Sequence, residues 1–401
     1  MILDALRKKT VEEMGQALGV DARKPQLARL HALGLPTKKS EAYRYFDIDT
    51  LLAQEYTLLD YVPKSIQESD RVEIVDGTVI SAPKGMRIFY EECKLIDMEH
   101  FDPLYYLGHL LAPHVIKIEI DGDAHVEIVH RFTKSNALIN YRIALENQSN
   151  RHAIVYESFE NEAISNSLVL YGYDMHIAPD STLRVLKTQT FDAEHYAIVA
   201  SHSIHVERQA NAILKSFDFG GGLGLQLIKV VLEERAHTEM GHLLYLNSDS
   251  RRGTVSQIIH RGQHSTSSQE AKNILDGHSR GIFDALIKVE HSAKYTKAHQ
   301  NSKAILLDEK AYMVAKPQLE IYIDELEASH GSTTGQLDKK QLFYLQSRGI
   351  SAVEARKMLV IAFANTLIEK VKDIRQQERI KDEFENAFYA MQEKETAGEA
   401  S

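Results

Sequence analysis

The sequence predicts a mainly β protein with helical segments at both ends, and three observations carry that reading. From about residue 101 to Leu337, short runs rich in β-branched residues follow one another almost without helical interruption, among them Val115 to Ile120, Val126 to Val129, Leu183 to Leu186 and Leu227 to Leu232. No proline occurs between Pro179 and Pro317, which is unusual for hairpins joined by tight turns but compatible with the uniform coils of a solenoid. Apolar residues outside this region recur at helical spacing instead. The runs recur too loosely to establish a sequence period, and two architectures fit them, a sandwich or a parallel β-helix. Alternation in Lys288-Val289-Glu290 and in Gln318-Leu319-Glu320-Ile321-Tyr322-Ile323 favours a solenoid whose strands bury one face.

The first segment places Leu6, Met14 and Leu18 in one helix and Leu27, Leu30 and Leu33 in the next. Gly34, as a left-handed cap, and Pro36 stop that helix. Residues 37 to 100, punctuated by Pro63 and Pro83, read as a small α+β region. This divides the chain into an N-terminal helical and α+β region (1–100), a β core (101–338) and a C-terminal helical domain with a polar tail (339–401). In the last domain, Ser351-Ala352-Val353-Glu354 fits a capping box. Ala355, Met358, Leu359, Ala362, Phe363 and Val371 then fall on one helical face, and Ile380, Phe384, Ala387, Phe388 and Met391 on a second. The tail from Glu393 is expected to fray. A helix pair appended to a solenoid finds little core to share, so its stripe fits either packing on this chain or insertion into a partner's groove.

Composition narrows the function classes. With 401 residues, 43% of them hydrophobic, the chain can bury a large core. Against 47 basic residues stand 57 acidic ones, a formal charge of -10 that repels phosphate backbones and disfavours nucleic acid. No apolar run approaches the length of a membrane span, and the N-terminus lacks the pattern of a secretory signal, so a cytoplasmic location is expected. The single cysteine, Cys93, supplies neither an intramolecular disulfide nor a thiolate cage. Among 19 histidines there is no His-Glu-x-x-His motif.

Three local motifs invite chemistry. Gly220-Gly221-Gly222-Leu223-Gly224 could cradle a phosphate, but a strand-like run follows where a phosphate loop opens a helix, so a tight corner is expected. Asp276-Gly277-His278-Ser279-Arg280-Gly281 lacks the Gly-x-Ser-x-Gly spacing of a nucleophile elbow and reads as a turn, with Arg280 bonding to neighbouring coils. Ser329-His330-Gly331-Ser332-Thr333 sets an imidazole among small residues that let another chain or a cofactor come close, although the residues alone favour a turn histidine bonded to a local carbonyl. One histidine holds no cluster, so His330 is a metal ligand only where a partner adds thiolate or carboxylate.

These motifs, taken in order, resemble a known family. Gly34-Leu35-Pro36-Thr37-Lys38-Lys39-Ser40-Glu41-Ala42-Tyr43-Arg44-Tyr45 looks like the N-terminal signature of SufD-type members of the SufB/SufD family of iron–sulfur cluster assembly scaffolds. Arg280-Gly281-Ile282-Phe283, Lys316-Pro317-Gln318-Leu319-Glu320-Ile321, Ser329 to Asp338 and Leu342-Phe343-Tyr344-Leu345-Gln346-Ser347-Arg348-Gly349-Ile350 follow in the family's order. SufB-type members carry a glutamate where Gly331 stands and a cysteine in the stretch matching Gln300-Asn301-Ser302-Lys303; both are missing here. Many SufD-type members have a cysteine two residues before the histidine, a place taken here by Ala328.

The resemblance implies a right-handed parallel β-helix between helical ends and a non-catalytic scaffold in a SUF-type complex. Its implied partners are a SufB-like paralogue and the SufC ATPase, with a homodimer as an option for the isolated chain. It implies no cofactor bound by the chain alone, a transient iron–sulfur cluster shared with the paralogue, and His330 at that interface. ATPase docking would fall on the C-terminal helices, at Met358, Leu359, Ala362, Phe363, Phe384 and Phe388. A β-helix enzyme acting on acidic polysaccharide is the alternative, for which neither a basic groove nor clustered aspartates are visible. An interaction scaffold unrelated to clusters is the other.

Overall fold

The computed structural model describes residues 23–59, 64–92, 97–120, 122–161, 164–191 and 196–398. Leu6, Met14, Leu18, Pro63, Cys93 and the side chain of Met391 lie outside the described residues. Among the described residues there are six α-helices, α1 (Lys24–Leu33), α2 (Ile48–Ala53), α3 (Pro103–Leu111), α4 (Lys339–Ser347), α5 (Ala352–Ile368) and α6 (Ile374–Gly398). The first eleven strands are β1 (Thr57–Leu58), β2 (Gln67–Ser69), β3 (Val72–Val75), β4 (Thr78–Pro83), β5 (Arg87–Glu91), β6 (Val115–Ile120), β7 (Ala124–Phe132), β8 (Ala137–Asn147), β9 (His152–Asn161), β10 (Ser167–Ile177) and β11 (Thr182–Phe191). They continue as β12 (Tyr196–Val206), β13 (Asn211–Gly220), β14 (Leu223–Leu232), β15 (His237–Leu246), β16 (Arg251–His260), β17 (Thr266–Leu275), β18 (Arg280–Val289), β19 (Thr296–Leu306), β20 (Tyr312–Ile321) and β21 (Leu326–Gly335).

From β6 onward the even strands pair in one sheet and the odd strands in the other, all in parallel register. The chain therefore changes sheet with every strand and climbs one rung per circuit. That is a parallel β-helix, and it excludes the sandwich, whose strands run antiparallel. Strands of the 67–91 segment join the same two sheets, β3 beside β7 and β5 beside β6.

Paired residues of successive coils differ by 26 to 32 positions. The period is marked by conformation, not residue type. Asn150, Asp180, Gln209, Arg235, His264 and Tyr295 all have positive φ at the corner entering an odd strand. Each donates its N–H to a carbonyl of the next coil, namely Pro179, Arg208, Glu234, Gln263, Lys294 and Glu325. Such a ladder leaves no place for proline at its donating positions, whereas Pro179 is accommodated because only its carbonyl takes part. Pro317 is tolerated because β20 ends its sheet.

The interior between the sheets is apolar at its start, with Ile116, Ile118, Val126, Ile139, Ile143, Val155 and Val169 buried. Both outer faces are also covered over the middle coils, which is why one-face alternation is weak there. On the even sheet, Leu27, Leu30, Phe46, Leu52 and Leu104 to Leu107 pack over Leu168, Leu170, Val199 and Leu227. The odd sheet's Leu186, Phe217, Phe219, Leu243 and Tyr245 lie under Val360, Ala364, Leu367, Ile380, Phe384 and Phe388. Gly34 closes α1 at φ 73° with its N–H on the Leu30 carbonyl, and Ser351 caps α5 by accepting from the Glu354 amide at 3.2 Å.

Two expectations about the C-terminal helices need correction. The tail does not fray at Glu393: α6 continues to Gly398 through Glu, Lys and Ala, which are strong helix formers. Nor is the helix pair short of core, because a flat ten-residue-wide sheet face offers what a narrow solenoid edge does not. Phe384 and Phe388, expected as docking residues, are 0% and 1% exposed against this chain's own sheet. The buried face of α5 is Ala355, Val360, Ala364, Leu367 and Ile368. Because α5 is apolar nearly all round, a sequence stripe does not select which side faces inward.

Candidate functional site

The solenoid ends openly at its last coil. β20 and β21 each stand last in their sheet, so one edge of each presents backbone donors and acceptors outward. Tyr312, Ile321 and Tyr322 are exposed there. Charged Lys316, Glu320, Glu325 and Glu327 along with Pro317 guard these edges against indiscriminate pairing.

His330 sits in β21, opposite Gln300 of β19, and is exposed. Its Nδ1 donates to the Pro317 carbonyl of β20 at 2.9 Å. That bond fixes the neutral tautomer with the proton on Nδ1, leaving the Nε2 lone pair free to ligate. Ala328, two residues earlier on the same strand face, packs against the core. A Cβ on Gly331 would touch only Asn301 Oδ1, at 3.4 Å, and one on Gly335 would touch nothing within 4 Å. The chain itself thus leaves this edge uncrowded. Gln300 of β19 donates to the Gln318 carbonyl of β20 at 2.9 Å and ties those two strands together across the end of the solenoid.

Two motifs far apart in sequence meet beside this end. Lys316 binds Glu41 of the N-terminal signature at 2.7 Å and Asp284 at 3.6 Å, and Gln318 donates to Asp284 at 2.9 Å. The hydrogen bond from Lys316 holds the Glu41 carboxyl below its ordinary value. α4 follows β21 directly and buries none of its residues. Phe343 and Tyr344, which sequence reasoning did not single out as contact residues, are 71% and 57% exposed. Of the expected docking residues, Met358 and Ala362 are exposed, and Leu359 and Phe363 are half-buried. Lys272 lies 4.4 Å over the Phe363 ring and donates to its carbonyl at 3.0 Å.

The glycine run forms a corner between β13 and β14, with Gly220 at φ 102° and Gly222 at φ 85°. Asp276 to Ser279 is likewise a turn; the Arg280 amide donates to the Ser250 carbonyl of the coil before.

Sequence reasoning missed a buried polar network in the middle coils. Lys187 binds Asp218 at 3.3 Å, Gln226 donates to Asp218 at 2.7 Å, and Arg252 approaches it at 3.6 Å. His130 bonds Glu157 at 2.9 Å. Burial alone would raise the Glu157 carboxyl, but His130 and Lys187 outweigh it and hold it below its ordinary value. Burial pushes His202 down to about 3 and His242 to about 4, so both are neutral. The bonded partners lie 8 to 34 positions apart in sequence, and only the coil stacking joins them. Glu157, Lys187, His202, Gln226 and His242 line a cavity of about 60 Å³, room for water and not for a metabolite.

Among the described residues no group of three or more His, Cys, Asp or Glu side chains could hold a metal ion, and no helix is long and apolar enough to cross a membrane.

Comparison with known proteins agrees with this architecture. Residues 122–363 match the family described as SUF system FeS cluster assembly, SufBD core domain. The chain is 26% identical over 380 residues to the iron–sulfur cluster assembly protein SufD of Escherichia coli, covering 88% of this chain and 90% of that protein. It is 34% identical over 117 residues to SufD of Bacillus subtilis, covering 29% of this chain and 27% of that one. An iron–sulfur cluster assembly SufBD family protein of Synechocystis matches at 27% over 199 residues, 49% of this chain and 44% of that protein. With the family's core domain spanning the greater part of the β-helix and the first α5 residues, the chain belongs to the SufBD family of iron–sulfur cluster assembly proteins.

Proposed function

We propose that this chain is the SufD-type scaffold of a SUF assembly complex, joining a SufB-like paralogue at the open end of its solenoid and a SufC-type ATPase at its C-terminal helices. The observation that carries the reading is His330, exposed on the terminal strand β21 with Nδ1 committed to a carbonyl and Nε2 left as a ligand. A cluster is the complex's cargo, and one imidazole supplies a single donor to it; thiolate and carboxylate come from the paralogue. Unpaired edges of β20 and β21 suit strand addition by a second β-helix.

The ATPase surface is the outward side of α4 and α5, with Phe343, Tyr344, Met358 and Ala362 at its centre and Leu359 and Phe363 at its margin. Phe384 and Phe388 serve it indirectly by fastening α6 to the odd sheet. α5 is fixed to the solenoid through Arg356 on the Leu307 carbonyl at 2.5 Å and through Lys272 on Thr366. Asp338 caps α4 three residues after Gly335 ends β21. Nucleotide-driven closure of the ATPase would therefore pull on the strand that carries His330 and shift the shared interface between two states.

Co-expression with the two partners, anaerobic purification and assay of iron and acid-labile sulfide test this reading. The ternary complex is expected to hold both, and the lone chain no stoichiometric cluster. A cluster on the lone chain, or failure to retain the ATPase, would overturn it.

A further inference from the structure

Three consecutive residues of β20 determine where the His330 ring is held. Pro317 supplies the carbonyl that accepts from His330 Nδ1 at 2.9 Å, and the carbonyl of Gln318 accepts from buried Gln300 at 2.9 Å. A proline ring fixes its own φ, so the direction of the Pro317 carbonyl follows from where its two neighbours are placed. Both neighbours are gripped from the outer face of the even sheet. Lys316 pairs in register with Asp284 of β18 and reaches its carboxylate at 3.6 Å, and the Gln318 side-chain amide donates to the same group at 2.9 Å.

The outward column that leads to Lys316 starts as Leu227 and Val255, both under the N-terminal helices, and becomes charged at Asp284. Glu41 closes it, binding Lys316 at 2.7 Å from the 3-10 turn Glu41–Tyr43. That turn is anchored in its own right. Tyr43 is buried, and its hydroxyl donates to Asp102, the cap of α3, which also accepts from Ser201 of β12 at 2.6 Å. With the Glu41 side chain 74% exposed, its ion pair adds little stability in water. What the pair does is fix where Lys316, and with it the Pro317 carbonyl, stands. Contacts thus run without a break from the middle of the even sheet through the N-terminal turn to the imidazole. We propose that Lys316 is a positioning residue for His330, and that Glu41 and Asp284 act through it, so that the N-terminal signature sets the geometry of the cluster interface. This rests on the role proposed above for His330. With the ammonium removed, the Glu41 and Asp284 carboxylates repel each other unbridged, and residues 316–318 of β20 shift. The ring then loses its fixed acceptor, and a displacement of about 1 Å is enough to spoil a ligand's placing.

Iron and acid-labile sulfide in co-expressed, anaerobically purified complexes test this. Lys316→Met should assemble with both partners yet lose iron and sulfide severalfold, and Glu41→Gln should lose less in the same direction. Lys316→Arg, which still bridges the two carboxylates, should keep the parental content. Combined with His330→Ala, Lys316→Met should add nothing to the loss from His330→Ala alone, because a residue that acts through the imidazole has nothing left to place. Parental content in Lys316→Met beside a depleted His330→Ala would overturn this inference and leave the role of His330 standing. A further loss in the double variant, depletion in Lys316→Arg equal to that in Lys316→Met, or failure of Lys316→Met to assemble would also overturn it. Parental content in His330→Ala would overturn both.

Discussion

The odd sheet has the same backbone in its middle coils and at its end, yet one part is buried on both faces and the other is bare. The outward column that begins at Phe217 and Leu243 continues as Lys272 and Lys303 in successive coils. Under α5 and α6 the first two are fully buried. Two strands on, β19 alternates strictly, with Thr296, Ala298, Gln300 and Ser302 buried and Lys297, His299, Asn301 and Lys303 exposed. Architecture is thus set by the coil, whereas cover is set by the residue type at each outward position. The covered part provides stability and anchors the helices; the bare part leaves edges and a histidine for another chain.

The largest effects on the isolated protein should come from the covered region. Phe384→Ala removes a buried ring wedged against Phe219 and Tyr245 and should cost about 3–5 kcal/mol in chemical denaturation. A loss under about 1 kcal/mol would mean the ring's proper place is against a partner. Asp218→Ala leaves Lys187 and Arg252 buried beside each other and should cost about 3–5 kcal/mol as well.

An intermediate effect is expected from acid. Burial pushes His100, His242 and His260 down to about 4 and His202 to about 3. Unfolded imidazoles titrate near 6.5, so these groups' contribution is intact above that value and is lost as pH falls from there toward 4. Glu157 and Asp218, held below the ordinary carboxylate value, add to the loss at still lower pH. Melting temperature should therefore fall between about pH 7 and about pH 5, and His260→Gln should flatten the fall. A flat profile in the parent would contradict the buried neutral histidines.

The smallest changes in stability belong to the bare region. Lys303→Ala and Met358→Ser should stay within about 0.5 kcal/mol of the parent. Phe343→Ser paired with Met358→Ser should nonetheless abolish retention of the ATPase in pull-downs; full retention would move the docking surface elsewhere.

Much of this contrast is legible in the sequence. The strand-rich core, the proline-free stretch, the Gly34 and Ser351 caps and the small residues around His330 all point to the observed elements. Pattern alone did not separate helix from sandwich, because the corner position is filled by Asn, Asp, Gln, Arg, His and Tyr in turn, held left-handed by a backbone ladder that leaves no residue signature. Phe384 and Phe388 were misassigned because an apolar stripe states that something covers it, not what. The Lys187–Asp218–Arg252 group was invisible because its members are 31 to 65 residues apart and meet only through coil stacking.

The central claim, that the open end works through one imidazole, is tested most directly by His330→Ala in the co-expressed complex. The variant should assemble with both partners in normal stoichiometry while its iron and sulfide content falls severalfold. Wild-type iron and sulfide in an intact variant complex would contradict the account.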